Sequence, residues 1–266
     1  MMKKYASLLL ALVLCLSLCA CGGNKEEPKA EEPAPVEEAP AEAASLEEAE
    51  LPVVAIESEA EPVSVVINVS VSDAGVLRVA NEPVTVEDPD GDGTVTADQV
   101  LAAAHDAFYE GGAAAGCAFE QTEYGTSITK LWGVDNGGSY GYYVNDAFVL
   151  PDYKLVAGDY ICAYSYADLI AWSDCYAFFD RRNAELAAGE ELKLQLSKLA
   201  YDENWELQTV LTEGATLVVN GEITDSVTDA EGNVALKLDE AGTYTVTAIG
   251  AEGETLVPPV CIVTVK

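Results

Sequence analysis

The chain has 266 residues and a formal net charge of −33, because 46 acidic side chains outnumber 13 basic ones. This balance excludes nucleic acid as a partner, since the chain has no basic patch to neutralise phosphates. It also excludes docking on anionic lipid through charge, so attachment to a membrane needs another device. A surface this acidic is suited to divalent cations.

The first twenty residues predict export. Two lysines precede an apolar run over Leu8–Leu18 that is too short to span a membrane, so a cleaved signal peptide is expected over residues 1–20. The segment Leu18–Cys21 resembles the bacterial lipobox, whose cysteine is lipidated and becomes N-terminal. The resemblance implies lipid attachment at Cys21, a membrane partner and a location on the extracellular face of the bacterial cell membrane. The alternative is secretion without a lipid.

Residues 21–62 are rich in Glu, Ala and Pro and contain no aromatic side chain. Such a segment cannot bury enough apolar surface to offset its chain entropy, so a disordered acidic tether is expected. Like charges and prolines extend it. We interpret it as a spacer; the alternative is an acidic interaction tail.

Strands are predicted from residue 63 onward. Alternating apolar residues indicate strands at Val65–Val71 and Gly75–Ala80, joined by a tight turn. One helix is predicted from Ala97 to about Tyr109, with Phe108 on its apolar face. Further strands are expected around Ser127–Trp132, Gly141–Val149 and Asp159–Tyr166.

A polar segment, Arg181–Gly189, predicts a linker. Beyond it the pattern indicates strands alone, and the Asn220-Gly221 pair between apolar residues is a strong hairpin signal. Short strands at regular spacing are typical of an Ig-like β-sandwich. The strands are expected at Leu192–Leu199, Ala215–Val219, Val234–Leu238, Thr243–Ala248 and Cys261–Val265.

The segment from Asp88 to Gln99, here called the acidic loop, carries Asp at its first, third and fifth places. It resembles the calcium loop of EF-hand and dockerin modules, except that Gln99 stands where a carboxylate is expected at the twelfth place. The alternative is a turn into the helix, with Thr96 as N-cap and Gln99 completing a capping box. The resemblance implies a structural calcium ion held by Asp88, Asp90, Asp92, Thr94, Asp98 and Gln99.

The stretch Tyr142–Asp146 and the later pair Gly158-Asp159, following a helix, resemble the transcobalamin C-terminal-like family. Asp146 replaces the glycine usual in that family. The resemblance implies a β-grasp-like sheet with a packed helix and capture of a small molecule, possibly corrinoid-like. The residues expected to bind this ligand are Trp132, Tyr140, Tyr142 and Asn145; the alternative is that these aromatic side chains form core.

The sequence therefore predicts a mainly β chain with one helix, in which a β-grasp-like α+β domain (63–182) precedes an Ig-like β-sandwich (184–266). The expected function is non-catalytic binding of a small molecule at the cell envelope; the alternative is adhesion or scaffolding through a surface glycan or protein. No enzyme is expected, because the only histidine, His105, lies on the helix without a recognisable catalytic motif. An even number of cysteines after Cys21 permits disulfides without requiring them: Cys117, Cys162, Cys175 and Cys261.

Overall fold

A computed structural model describes residues 63–88, 91–135, 140–149 and 153–266. The predicted signal peptide, Cys21, the tether and Asp90 of the acidic loop lie outside the described residues. The first part of the described chain contains nine strands and two helices. They are β1 (Val63–Asp73), β2 (Val76–Asp88), β3 (Thr94–Thr96), α1 (Ala97–Phe108), α2 (Gly112–Gly116), β4 (Ala118–Thr122), β5 (Gly125–Lys130), β6 (Tyr140–Val144), β7 (Ala147–Phe148), β8 (Lys154–Val156) and β9 (Tyr160–Ser165).

The main sheet of this part has the order β2-β1-β9-β6-β7. Its two central strands, β1 and β9, run parallel, and every other neighbouring pair is antiparallel. Because β1 and β9 lie far apart in the chain, the helices and small strands between them form the crossover that a parallel pair requires. The predicted β-grasp-like architecture is confirmed.

Helix α1 covers one face of this sheet with Val100, Leu101 and Ala104, none of which has exposed surface. Phe108, predicted on the same face, is instead 42% exposed, because it is the last residue of α1 and extends beyond the buried stripe. The second helix, α2, was not expected; it begins at Gly112, shortly after the predicted end of α1. Two helices therefore replace the one predicted.

The second part of the described chain contains ten strands and no helix. They are β10 (Cys175–Phe179), β11 (Asn183–Leu186), β12 (Glu191–Tyr201), β13 (Leu207–Leu211), β14 (Thr216–Val219), β15 (Glu222–Val227), β16 (Asn233–Lys237), β17 (Gly242–Ile249), β18 (Leu256–Val257) and β19 (Cys261–Val265).

These strands form two sheets, ordered β13-β12-β10-β18 with β16 also on β12, and β11-β19-β17-β14-β15. One core lies between them and includes Leu194, Leu196, Leu217, Val246 and Val263. Two mainly antiparallel sheets facing each other across such a core are an Ig-like β-sandwich. This half of the predicted fold class is confirmed as well.

Several short strands lie where the sequence predicted none, and two of them, β10 and β11, flank the predicted domain boundary. Strand β11 occupies the predicted linker Arg181–Gly189 and runs parallel to β19 at the edge of its sheet, where backbone hydrogen bonds stabilise a polar segment. Strand β10, within the predicted first domain, pairs with β12 and β18 of the sandwich. The boundary between residues 182 and 184 stays a prediction.

Candidate functional site

The acidic loop is organised around Asp88, which is only 4% exposed. Its two carboxylate oxygens accept hydrogen bonds from the backbone N–H groups of Gly91, at 2.9 Å, and Gly93, at 2.7 Å. Both glycines have positive φ, which a residue without Cβ adopts at little cost. Asp88 therefore shapes the turn itself, whether or not a cation is bound.

Asp92 faces solvent on the same loop. Its carboxylate accepts the Thr94 hydroxyl and backbone N–H and forms an ion pair with Lys154 at 3.1 Å. The Thr94 hydroxyl and then Lys154 lower the pKa of the Asp92 carboxyl, so this group stays ionised. A cation bound by Asp92 would have to compete with Lys154.

Gln99 turns back toward the start of α1. Its side-chain oxygen accepts the Thr96 backbone N–H at 2.8 Å and the Thr96 hydroxyl at 3.0 Å, as a capping box requires. The Gln99 oxygen, which stands at the twelfth place of the acidic loop, is therefore already engaged in hydrogen bonds with Thr96. Within the described ranges, which omit Asp90, no group of three or more His, Cys, Asp or Glu side chains is placed to hold a metal ion.

Three of the predicted ligand-binding residues, Trp132, Tyr140 and Tyr142, pack against the core beneath α1. Trp132 packs against His105 and Tyr109, with ring centroids 5.3 and 5.1 Å away. The Tyr140 hydroxyl donates to the backbone oxygen of Val134 at 2.7 Å, and its ring packs on the core beneath α1. These contacts agree with the alternative prediction, in which the aromatic side chains belong to the hydrophobic core.

Tyr142 is also partly buried against that core. Asn145 lies just past the other end of β6, roughly 16 Å from Tyr140 at the usual rise of a strand. There it joins two turns, because its side chain donates to Asp159 at 2.7 Å and accepts the Tyr160 N–H at 3.0 Å.

His105 of α1 is fully buried. Its Nδ1 lies 2.6 Å from the Leu101 backbone oxygen. Its Nε2 accepts a hydrogen bond from the backbone N–H of Trp132 at 3.0 Å. A ring that donates from one nitrogen and accepts at the other is neutral. Burial accordingly lowers the pKa of His105, and its contacts give it a structural role.

The two domains meet in a buried aromatic cluster, here called the junction cluster, on the face of the main sheet opposite α1. The Tyr143 ring stacks on the Tyr176 ring with centroids 4.0 Å apart, which joins β6 to β10. Burial raises the pKa of Tyr143 and of Cys162 to about 12 each, so neither ionises near neutral pH. The fully buried members of the cluster are Tyr160, Cys162, Tyr164, Tyr176 and Val257.

Arg182 connects the edge of this cluster to the turn after β6. Its guanidinium forms an ion pair with Asp146 and lies over the Tyr160 ring, 4.1 Å from the centroid. The Tyr176 hydroxyl donates to the same Asp146 carboxylate at 2.9 Å. Burial disfavours the charge of Arg182, but the Asp146 carboxylate outweighs that effect and raises the pKa of the guanidinium. The Asp146 carboxylate, which follows β6, thus holds two groups from the part of the chain that begins at β10.

Exposed apolar side chains lie on the loop before β10 and on the turn after β12. Because β10 and β12 are antiparallel, the loop before β10 and the turn after β12 lie at one end of their sheet. Trp172 and Trp205 are 61% and 81% exposed, and both have positive φ, which is uncommon for bulky side chains. We call these residues the aromatic surface: Leu169, Ile170, Trp172, Tyr201 and Trp205.

The sequence analysis did not predict this surface. The residues around Trp205 nevertheless carry a readable signal. A tryptophan within Asp202-Glu203-Asn204-Trp205-Glu206 has no apolar residue beside it with which to share a core. Asp202 accepts the N–H groups of Asn204 and Glu206, which holds the turn that presents the ring.

Cys117, Cys162, Cys175 and Cys261 are all free thiols. No helix among the described residues is long and apolar enough to cross a membrane.

No protein-family model matches the chain, and no curated protein matches it. Distantly similar solved structures include fibronectin(III)-like modules of Clostridium thermocellum CbhA, at 14% identity over 77% of this chain and 94% of that chain, with a TM-score of 0.26. The N-terminal Ig1-2 module of the Drosophila receptor protein tyrosine phosphatase DLAR is 11% identical over 77% of this chain and 98% of that chain, with a TM-score of 0.25. The D00-D0 domain of Intimin is 13% identical over 76% of this chain and 100% of that chain, with a TM-score of 0.22. Likenesses this distant establish no shared function.

Proposed function

We propose that this chain is a non-catalytic adhesion or scaffolding protein of the bacterial cell surface, held to the membrane by lipid on Cys21. The observation that carries the proposal is the aromatic surface. Ile170 and Trp205 leave 94% and 81% of their surface in water, which is unfavourable for a chain with no partner.

The backbone beneath the two tryptophans supports the same view. Trp172 and Trp205 have φ of 52° and 61°, and a non-glycine residue in this region costs about 1–2 kcal/mol. Rings this exposed gain little packing in the free chain to offset that cost, and the contact that Trp205 makes is with the Tyr201 ring of the same exposed turn. Tryptophan and tyrosine are also the side chains that most often carry the binding energy of protein surfaces.

The junction supports presentation of this surface on a stiff body. The described residues belong to one compact unit, Glu57–Lys266, and the junction cluster buries side chains of both domains together. A buried aromatic interface resists relative motion of domains more than a polar linker does. The acidic tether would then set how far the aromatic surface extends from the membrane, and the two domains would hold that surface in a fixed orientation.

The geometry favours this function over capture of a corrinoid-like molecule at Trp132, Tyr140 and Tyr142, because those rings pack on the core. Catalysis gains no support either: His105 is buried and both of its nitrogens are engaged. Calcium in the acidic loop would be structural, held by Asp88, Asp90 and Asp92.

Co-sedimentation with isolated bacterial cell walls tests the proposal. We expect the purified chain to bind saturably and the Trp172→Ser/Trp205→Ser double variant to bind at least tenfold more weakly, as for loss of central interface aromatics. Tyr124→Ser is the matched control, since Tyr124 is 77% exposed on the β4–β5 turn. Equal binding by the double variant and the parent chain would refute the role of the aromatic surface.

A further inference from the structure

A groove of about 470 Å³ lies where the β1–β2 hairpin of the first domain passes over the outer face of the sandwich. One wall is formed by the start of β2, and the other by β14, β17 and the segment before β19. This volume is within the range of pockets that hold small molecules, about 300–1,000 Å³. The apolar side chains that line it include Val76, Leu77, Val218, Ile249 and Pro258.

Strand alternation explains why the sandwich wall of the groove is apolar yet outside the sandwich core. Val246 and Ala248 of β17 point into that core and are almost fully buried. Thr245, Thr247 and Ile249 therefore face outward, toward the groove. Ile249 is 46% exposed, and the Thr247 hydroxyl is buried in the wall with no hydrogen-bond partner among the described residues.

One cationic side chain lines the groove of this strongly acidic chain. Among the described residues, Arg78 is the only ionisable side chain in the lining, whereas the whole chain has 46 acidic and 13 basic residues. The Arg78 guanidinium is held beside the groove by Asp73 at 3.2 Å, and the Ser165 hydroxyl donates to the other oxygen of Asp73 at 2.7 Å. A small anion would compete with Asp73 for the Arg78 guanidinium, and the lining itself adds no further carboxylate.

We propose that this junction groove binds a free, monomeric amphiphile that has an apolar body and one compact anionic head, such as a medium-chain carboxylate. The body would cover Val76, Val218 and Ile249, and the head would pair with Arg78. The apolar lining favours a hydrocarbon body through removal of surface from water. The guanidinium selects the sign of the head, since it stays charged at every accessible pH. This site is separate from the aromatic surface and does not depend on it.

Isothermal titration calorimetry of the full chain with decanoate, below its critical micelle concentration, tests the proposal. We expect saturable one-to-one binding, and weaker binding of decyltrimethylammonium, which has the same tail and the opposite charge. Arg78→Gln should weaken decanoate binding about fivefold, the upper range for a partly exposed ion pair. Arg181→Gln is the matched control, because Arg181 forms an exposed ion pair with Asp180 away from this groove.

A charge-reversal pair in the wall keeps the test independent of Arg78. Ile249→Glu should weaken decanoate binding and Ile249→Lys should strengthen it. Leu211→Glu is the matched control and should do neither, because Leu211 is also 46% exposed but lies on β13 of the other sheet. Equal affinity for the two amphiphiles, or equal effects of the Ile249 variants, would overturn the proposal. So would a concentration-dependent dimer that Ile249→Glu dissociates, or binding to anionic vesicles without binding to monomeric decanoate.

Discussion

Replacement of Arg182 by methionine tests whether the two domains depend on each other for stability. Arg182→Met keeps most of the apolar stem of the side chain and removes only the guanidinium. The ion pair with Asp146 and the contact with the Tyr160 ring are lost together. Asp146 is then left partly buried beside the Tyr176 hydroxyl without a counter-charge.

The exposure of the pair sets the expected magnitude. The side chains of Arg182 and Asp146 are 28% and 19% exposed, so the pair lies between a buried one and a surface one. Removal of one partner costs about 3–5 kcal/mol for buried pairs and about 1 kcal/mol or less for exposed pairs. The lost cation–π contact contributes about 0.5–1 kcal/mol more. We expect a loss of about 3 kcal/mol, or a melting temperature lower by about 6–12 °C for a unit of this size.

Differential scanning calorimetry and urea denaturation measure both quantities. The parent chain should unfold in one transition, and Arg182→Met should unfold earlier or separate into two transitions. Arg181→Met is the matched control: the neighbouring arginine pairs with Asp180 on the surface, so it should change the free energy of unfolding by less than about 1 kcal/mol. Equal effects of the two variants would show that the junction contributes no more than a surface ion pair.

Four further predictions concern the anchor, the acidic loop and two titrations. Cys21→Ala should release the chain into the medium or leave its precursor unprocessed; membrane-bound protein of mature size would contradict lipid attachment. Calcium at millimolar concentration should raise the melting temperature relative to chelator, because an ion bound only by the folded form stabilises it, and Asp88→Asn should abolish the shift. Stability should fall as pH rises from about 9 to 12, because Cys162 and Tyr143 keep their protons in the fold beyond the pH at which the unfolded chain releases them; Cys162→Ala should reduce the slope. Stability should also fall as pH drops below about 6.5, the ordinary pKa, since the fold holds His105 neutral, and an unchanged acid limb in His105→Gln would contradict this.

The elements with strong local signals were predictable. The start of α1 follows from Thr96 and Gln99, which form the expected capping contacts, and the β14–β15 turn follows from Asn220-Gly221. In these places neighbouring residues alone determine the structure. The same locality explains why the two-domain β-rich fold class could be predicted.

The misses share a physical cause, which is that contacts remote in sequence decide the outcome. Strand β11 is polar and exists because β19, about eighty residues later, offers its backbone. The junction cluster combines Tyr143 of β6 with Tyr176 of β10, a strand that pairs with the sandwich although it precedes the predicted boundary. Arg182 appeared to belong to a polar linker, and only its distant partner Asp146 gives it a role. The junction groove has no sequence signal, since its walls come from β2 and β17.

Acrylamide quenching of tryptophan fluorescence, with and without isolated cell walls, tests the central claim most directly. Of the three tryptophans, Trp172 and Trp205 are largely exposed and Trp132 is partly buried between His105 and Tyr109. Burial of the aromatic surface against a partner predicts strong quenching of the free chain and a clear reduction when it is bound. Quenching that is unchanged in chain shown to be bound would contradict the claim that these rings make the contact.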